Sequence, residues 1–332
     1  MKKFHVNSSL VLFVIMTLTM AGCSKKSNST GEDGSLNNAT RLVIGQNTNY
    51  CPIIIAHEKG FFKDEFGDTL KIETPLFANG PAQNEAFKAG QIDIGNMGDL
   101  PMTQLWANGT NIQVISYLFD SLDGYSLLAN KRSGMKTLAD LKGKKIAVEL
   151  GSNFHKTMLK FLASQGLDAD DVELVNMPRA EAVIALKQGL LDATALDEPA
   201  LSKTLEDNNI VLISTARDYD KLFTVAFVRT EYARKNPQIV SRYLKVIKKA
   251  NDWMAQNVDE ATRIVLKFMG SDDFAGTKKY LESRTWPVAA DQDLIDRLND
   301  TIKFCREQEL ITRDDLDAKN LVNDAYVKGA GL

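Results

Sequence analysis

The strongest constraint on the fold is a repeated alternation of short β-rich segments with helical segments, separated by Gly, Pro and helix-capping residues. Residues 41–45 predict a strand that ends in Gly, residues 57–66 predict a helix, and the two patterns then alternate to about residue 196. From about residue 236 onward the pattern is mainly helical. Because strands connected through helices pair side by side, we predict an α/β fold with mostly parallel sheets.

A short internal similarity indicates two lobes of related structure. Residues 86–93 (AFKAGQID) resemble residues 185–192 (ALKQGLLD), and each segment is soon followed by an acidic residue and a proline. Any junction of a helix, a glycine and a strand can also yield such a string, so both explanations stay open. We predict a first lobe of residues 41–129 and 223–332 and a second lobe of residues 130–222. The two hinge crossings are expected near residues 129–131 and 214–223.

The N-terminal segment predicts export and attachment to a membrane. Lys2 and Lys3 precede an uncharged run over residues 10–20, which is too short for a bilayer that needs about 20 apolar residues. We therefore predict a lipoprotein signal peptide over residues 1–22. Its end resembles a bacterial lipobox, which implies a lipid on Cys23; a plain secretory signal with a chance cysteine is the alternative. Residues 23–40 predict a flexible tether that would hold the folded body in the cell envelope, at the periplasmic or outer face of the membrane.

Composition and motifs argue against several classes of function. With 40 Lys and Arg against 43 Asp and Glu, the net charge of −3 argues against a nucleic-acid-binding protein. After the signal peptide only His57 and His155 remain, and the common motifs of metalloproteases, serine hydrolases and nucleotide-binding loops are missing. We predict no cofactor, no metal and a binding protein rather than an enzyme, although hydrolysis by carboxylates alone stays open. Cys51 and Cys305 are expected to be free thiols, with a disulfide between them as the alternative.

Four strand-to-helix turns carry helix-start residues, and ligands of open α/β sheets collect at such turns. They are Asn79-Gly80-Pro81, Asp99-Leu100-Pro101, Gly151-Ser152-Asn153-Phe154 and Asp197-Glu198-Pro199. A helix N-terminus offers unpaired N–H groups and about half a positive charge, so several around one cleft would bind a small anion. Backbone N–H donors would then be sufficient to bind the anion without an Arg or Lys side chain. Taken singly, each turn is also explained as an ordinary helix cap.

The chain resembles a known family, the solute-binding components of ABC importers for aliphatic sulfonates, taurine and nitrate. The similar motifs are Glu58-Lys59-Gly60-Phe61-Phe62, Asn79-Gly80-Pro81, Gly90-Gln91-Ile92-Asp93-Ile94-Gly95, Gly98-Asp99-Leu100-Pro101, residues 138–148 and Gly151-Ser152-Asn153-Phe154-His155. The resemblance covers about residues 41–310, and the combination is specific although each motif alone is weak. It implies a two-lobed type II periplasmic-binding-protein fold, each lobe a mostly parallel sheet flanked by helices.

The resemblance also implies that the turns at Gly80, Asp99, Ser152 and Asp197 line the cleft. With their neighbours, the candidate ligand-binding residues are Gln46, Tyr50, Asn79, Gly80, Pro81, Gly98, Asp99, Leu100, Tyr125, Ser152, Asn153, Phe154, His155, Asp197 and Glu198, and Trp286 is a further aromatic candidate. Glu198 departs from the family, which usually has an aromatic residue before its Asp-Pro. Its carboxylate would oppose an anion unless it points outward or pairs with a cationic part of the ligand, such as the ammonium of taurine.

The resemblance implies a function in import. A small organic anion, an aliphatic sulfonate or a taurine-like molecule, would be captured by hinge closure, and the closed monomer would deliver it to an ABC permease with its ATPase. Nitrate, bicarbonate, an aromatic carboxylate or a pyrimidine are alternative ligands. A ligand-sensing lipoprotein and a tethered enzyme are alternative functions.

Overall fold

A computed structural model describes residues 39–47, 49–121 and 123–332. The predicted signal peptide, Cys23 and all of the tether except residues 39 and 40 lie outside the described residues. The strands are β1 (Arg41–Val43), β2 (Lys71–Glu73), β3 (Ile94–Gly98), β4 (Ile112–Ser121), β5 (Ser126–Asn130), β6 (Lys145–Val148), β7 (Glu173–Asn176), β8 (Ala193–Leu196), β9 (Ile210–Thr215), β10 (Phe223–Arg229) and β11 (Arg284–Thr285).

Helices connect the strands and form most of the C-terminal part. They are α1 (Cys51–Glu58), α2 (Phe61–Phe66), α3 (Gly80–Lys88), α4 (Asp99–Ala107), α5 (Asn153–Ala163), α6 (Arg179–Gln188), α7 (Ala200–Leu205), α8 (Thr230–Lys235), α9 (Pro237–Gln256), α10 (Val258–Met269), α11 (Phe274–Glu282), α12 (Gln292–Glu307) and α13 (Ala325–Gly329). The helix predicted over residues 57–66 is in fact two helices. Gly60 interrupts it with a positive φ of 72°, a conformation that glycine adopts without the penalty of a Cβ atom.

The strands form two separate groups. In the first, β1 and β2 pair in parallel, and a bridge between Ile44 and Ile94 links β1 to a four-stranded sheet in the order β11-β4-β10-β3. In the second, five strands lie in the order β7-β6-β8-β5-β9. We call the two groups, with the helices packed on them, the first and the second lobe. The predicted α/β fold with two sheets flanked by helices is confirmed.

The expectation of mostly parallel sheets is wrong, because the four-stranded sheet is antiparallel throughout and the five-stranded sheet is mixed. All three pairings of the four-stranded sheet are antiparallel, and in the second sheet only β6 with β7 and β6 with β8 are parallel. The cause lies in the strands next to the crossings. β10 arrives from the second lobe without a preceding crossover helix and inserts antiparallel between β3 and β4, and β5 likewise enters the second sheet antiparallel to β8.

The first crossing also differs from the prediction. Residues 126–129, assigned by sequence to the first lobe, belong to β5, which pairs with β8 and β9 in the second sheet. Every residue of β5 is buried, and Leu127 and Ala129 pack in the second core, so this apolar run belongs to the second lobe. The chain therefore leaves the first sheet after Ser121 and enters the second at Ser126. It returns between Thr215 and Phe223.

Each lobe has its own hydrophobic core. The first core is drawn from residues 42–119 and 223–330, and the second from residues 125–222. The 20-residue helix α9 packs against α1 and α13 in the first lobe, with Ile239, Tyr243 and Ile247 fully enclosed. Cys51 in α1 and Cys305 in α12 are buried free thiols, as predicted. Within the described residues, no helix has both the length and the apolar character needed to span a membrane.

A candidate binding cleft between the two sheets

A cleft of about 450 Å³, part of it open to solvent, lies between the two lobes. Side chains from both lobes line it. Those of the first lobe are Asn47, Asn49, Tyr50, Asn79, Gly80, Gly98, Pro101, Phe119 and Thr224; those of the second are Tyr125, Glu149, Ser152, Asn153, Phe154 and Arg179. A small molecule in this cleft would therefore contact both lobes at once.

Five helices begin at the cleft. Tyr50, Asn79, Gly98 and Ser152 precede the first residues of α1, α3, α4 and α5, and Arg179 is the first residue of α6. A helix N-terminus carries N–H groups that lack partners within the helix, together with a partial positive charge. Several such termini around one cleft make it favourable for negative charge.

Four of these termini, those of α1, α4, α5 and α6, receive no capping hydrogen bond from the preceding side chain. The hydroxyl of Ser152 donates to the carbonyl of Glu149 at 2.6 Å, so it does not cap α5, and Gly98 before α4 has no side chain to offer. The terminus of α3 differs, because the side chain of Asn79 accepts from the N–H of Ala82 at 3.0 Å. The start of α5 therefore has no side-chain cap that would compete with a ligand.

A cation also reaches the cleft. The guanidinium of Arg179 lies 4.4 Å from the ring centroid of Phe154 and donates through Nη1 to Asp197 at 3.2 Å, while its side chain stays 26 % exposed. Burial opposes the charge of Arg179, but the neighbouring carboxylates, Asp197 foremost, hold its pKa above the ordinary value. Arg179 therefore stays positively charged in the cleft.

Aromatic rings form one wall of the cleft. Tyr125 and Phe154 stack with their ring centroids 3.6 Å apart and their planes at 23°. Burial raises the pKa of both Tyr50 and Tyr125, so their hydroxyls stay protonated. The wall offers apolar ring edges and hydroxyl groups to a ligand.

The two lobes are in close contact beside Gly98. A Cβ atom on Gly98 would lie 2.3–2.4 Å from side-chain atoms of Asn153, so only glycine leaves room for that amide. Asn153 in turn donates to Asp99 at 2.8 Å and accepts from the N–H of Leu100 at 3.3 Å. These bonds join the start of α5 directly to the start of α4.

The structure brings together about half of the residues predicted from the sequence. The predicted residues that line the cleft are Tyr50, Asn79, Gly80, Gly98, Tyr125, Ser152, Asn153 and Phe154, and those that do not are Gln46, Pro81, Asp99, Leu100, His155, Asp197 and Glu198. Trp286 also lies outside the lining and packs edge-on against Phe119. The predicted residues outside the cleft have protein partners instead.

The acidic candidates are engaged in ion pairs. Asp99 is fully buried and accepts from Lys156 at 2.6 Å, and Asp197 accepts from Arg284 at 2.9 Å as well as from Arg179. Glu198 pairs with Lys279 at 2.6 Å. Of the two alternatives that the sequence left open for Glu198, the structure favours the one in which its carboxylate points away from the site, because Lys279 of the first lobe supplies its cation.

The remaining predicted residues also lie outside the cleft. Leu100 is fully buried in the first core, Pro81 lies one residue inside α3, and Gln46 bridges Leu76 through its backbone. His155 accepts from the N–H of Gly151 at 3.3 Å through Nδ1, and burial lowers its pKa.

Sequence analysis missed seven of the lining residues, namely Asn47, Asn49, Pro101, Phe119, Glu149, Arg179 and Thr224. The sequence predicted backbone donors without Arg or Lys, whereas the side chain of Arg179 also lines the cleft. One signal could have found it, because Met177-Pro178-Arg179 is a strand-to-helix turn after β7, of the same kind as the four predicted turns. In residues 39–47, 49–121 and 123–332, no group of three or more His, Cys, Asp or Glu side chains is arranged to hold a metal ion.

Comparisons with known proteins agree with this architecture. Residues 47–261 match the family described as NMT1/THI5 like. A Bacillus subtilis (strain 168) protein that carries the name of an aliphatic sulfonates-binding protein is 30 % identical over 98 % of this chain and 97 % of its own length.

Two solved structures share the fold at 23 % identity and a TM-score of 0.76. They are the periplasmic aliphatic sulphonate binding protein SsuA from Escherichia coli, matched over 86 % of this chain and 97 % of that one, and the alkanesulfonate-binding protein SsuA from Xanthomonas axonopodis pv. citri bound to MOPS, matched over 86 % and 98 %. They confirm the periplasmic-binding-protein fold predicted from the sequence. By its match to the family model and its full-length similarity to the Bacillus protein, the chain belongs to the NMT1/THI5-like family.

Proposed function

We propose that the protein is the extracytoplasmic substrate-binding component of an ABC importer and that it captures a small organic sulfonate in the cleft. One observation carries the proposal: the guanidinium of Arg179 and the uncapped start of α5 line the same cleft from the second lobe. A sulfonate has one negative charge spread over three oxygens, which suits a planar guanidinium together with several N–H donors. The name of the Bacillus relative supports the same ligand class.

The aromatic wall would contact the organic group of the ligand. An alkyl or aryl group attached to the sulfonate would lie against the stacked rings of Tyr125 and Phe154, within reach of Phe119. Inorganic anions such as nitrate or bicarbonate have no such group and would leave this surface without a partner. The arrangement therefore favours an organic sulfonate over the inorganic alternatives.

The protein would act by closing around its ligand. Contacts from both lobes favour the closed form, and a ligand shifts the equilibrium only as far as it binds that form more tightly. We propose that the segments between Ser121 and Ser126 and between Thr215 and Phe223 serve as the hinge. Solution scattering of the protein with and without ligand tests this step: the radius of gyration falls at saturation if the hinge closes and stays constant if it does not.

Attachment to the membrane and lack of catalysis are part of the same proposal. A signal peptide over residues 1–22 and a lipid on Cys23 would place the binding lobes outside the cytoplasm, where a permease with its ATPase would receive the ligand. The names of the relatives support a binding protein rather than an enzyme. Mass spectrometry of the protein isolated from membranes tests the lipid on Cys23, and a mature N-terminus at another residue without a lipid would contradict it.

Thermal unfolding tests the ligand class. We expect alkanesulfonates to stabilise the purified protein, because a ligand at 100 times its dissociation constant contributes about 2.7 kcal/mol. Alkanesulfonamides of the same length serve as matched uncharged controls and should leave the unfolding temperature unchanged. Stabilisation by nitrate, an aromatic carboxylate or a pyrimidine, but by no sulfonate, would keep the fold and overturn the proposed ligand.

A further inference from the structure

One acidic side chain stands in the cleft beside the proposed sulfonate site. Glu149 directly follows β6 and precedes the turn into α5, and it is the only carboxylate among the described residues that line the cleft. Its side chain is 11 % exposed. A carboxylate this far from solvent needs hydrogen-bond donors to offset its lost hydration.

The protein satisfies only one of the two carboxylate oxygens. Oε1 accepts from the backbone N–H of Arg179 at 3.2 Å, whereas Oε2 lies 3.9 Å from the Nε atom of the same arginine, beyond hydrogen-bond distance. Arg179 directs its Nη1 to Asp197 instead. Within the described part of the chain Oε2 has no closer donor, so it is left as an acceptor at the cleft.

The charge of Glu149 changes which sulfonate the cleft prefers. A plain alkanesulfonate brings one negative charge close to this carboxylate, and like charges in a partly buried site repel each other. A sulfonate that also carries an ammonium group brings a donor and a positive charge for Oε2. The cleft then holds two pairs of opposite charge, Arg179 with the sulfonate and Glu149 with the ammonium.

We propose that Glu149 is a specificity-determining residue that makes the cleft select aminoalkanesulfonates over alkanesulfonates of the same length. The inference rests on the proposed function, because it assumes a sulfonate beside Arg179. It replaces the role that the sequence had indicated for Glu198, whose carboxylate pairs with Lys279.

Glu149 has a second conceivable role, which is to position Arg179 through the bond to its backbone. Isothermal titration of the purified protein and of Glu149→Gln with 2-aminoethanesulfonate and with ethanesulfonate separates the two roles. We expect the unchanged protein to bind the aminosulfonate at least tenfold more tightly than ethanesulfonate. Glu149→Gln keeps the shape of the side chain and an acceptor oxygen. It should lose that preference, because it binds the aminosulfonate more weakly and ethanesulfonate equally or more tightly.

The controls keep the outcomes distinct. Glu149→Asp retains the charge and should retain a preference for the aminosulfonate, and circular dichroism confirms that each variant is folded. Equal weakening of both ligands in Glu149→Gln would assign Glu149 to positioning and overturn the inference, as would equal affinity for both ligands in the unchanged protein. Each of those results leaves the proposed function standing, whereas the absence of binding by either sulfonate to the unchanged protein would overturn both.

Discussion

Two clusters of charged residues join the lobes, and they differ in how completely protein groups enclose them. The buried cluster consists of Asp99, Lys156 and Asp220; the cleft cluster consists of Glu149, Arg179, Asp197 and Arg284. In the buried cluster protein groups satisfy one another, whereas Arg179 and Glu149 of the cleft cluster keep exposed surface in the cleft. Asp99 and Glu149 both lie at a strand-to-helix turn, but protein groups enclose Asp99, whereas Glu149 keeps exposed surface in the cleft.

The buried cluster is the tighter of the two. The ammonium of Lys156 lies 2.6 Å from Asp99 and 3.0 Å from Asp220, and all three side chains are at most 2 % exposed. Burial alone would lower the pKa of Lys156, but Asp220 and Asp99 outweigh it and raise the pKa. The same pairing, with Lys160, lowers the pKa of Asp220 against the effect of burial. Lys156 and Asp220 therefore stay charged.

The largest expected effect comes from breaking the buried cluster. Lys156→Met leaves Asp99 and Asp220 without their shared cation, and removal of one partner of a buried pair costs about 3–5 kcal/mol. We expect the free energy of unfolding, measured by denaturant titration, to fall by that amount. Lys160→Met is the matched control: this ammonium also lies 3.0 Å from Asp220 but is 28 % exposed, so a loss below about 1 kcal/mol is expected. Equal losses in the two variants would contradict the comparison.

The next effect is on affinity rather than stability. Arg179→Gln removes the charged donors proposed for the sulfonate, and hydrogen bonds to charged groups contribute about 1.5–3 kcal/mol, which corresponds to roughly 10-fold to 150-fold in affinity. Isothermal titration with ethanesulfonate measures the loss. Asp197 keeps its bond to the buried Arg284, so the unfolding free energy should change much less than in Lys156→Met. An unaltered affinity in the folded variant would show that Arg179 does not hold the ligand.

A smaller effect is expected from the aromatic wall. Phe154→Leu removes the ring that stacks on Tyr125 and lies under Arg179, and aromatic pairs contribute about 0.5–1.5 kcal/mol. We expect the affinity for ethanesulfonate to fall between about twofold and tenfold. Tyr125→Phe keeps the stack and loses only the hydroxyl, so it should bind nearly as well as the unchanged protein. A larger loss in Tyr125→Phe than in Phe154→Leu would assign the contact to the hydroxyl instead.

The smallest effect concerns pH. Burial lowers the pKa of His155, so the folded protein disfavours its charged form while the unfolded chain takes up the proton near pH 6.5. Its contribution to stability is complete above that pH and is lost as the pH falls below it. His155→Gln should therefore reduce the slope of stability against pH in this window. Burial also lowers the pKa of His57, so His57→Gln should reduce the slope in the same direction, and a slope unchanged by His155→Gln would refute the assignment.

Local chemistry explains which parts could be predicted from the sequence. The helix starts at Asn79, Gly98 and Ser152 follow from the local sequence, in which Gly, Ser, Asn or Pro comes shortly after a strand, and all three line the cleft. Asp99 is enclosed because it pairs with Lys156, 57 residues away in the sequence, and the local pattern cannot reveal this pairing. The direction of β5 depends in the same way on how distant segments pack. Burial and pairing across the lobes, rather than residue type, therefore decide whether a charged side chain is enclosed by protein or exposed in the cleft.

The most direct test of the account is a crystal structure of the protein grown with ethanesulfonate. The account predicts the sulfonate in the cleft, with its oxygens within hydrogen-bond distance of the Arg179 guanidinium and of N–H groups at the start of α5, and with its alkyl group against Phe154. A sulfonate bound elsewhere, with Arg179 still paired only to protein carboxylates, would contradict it.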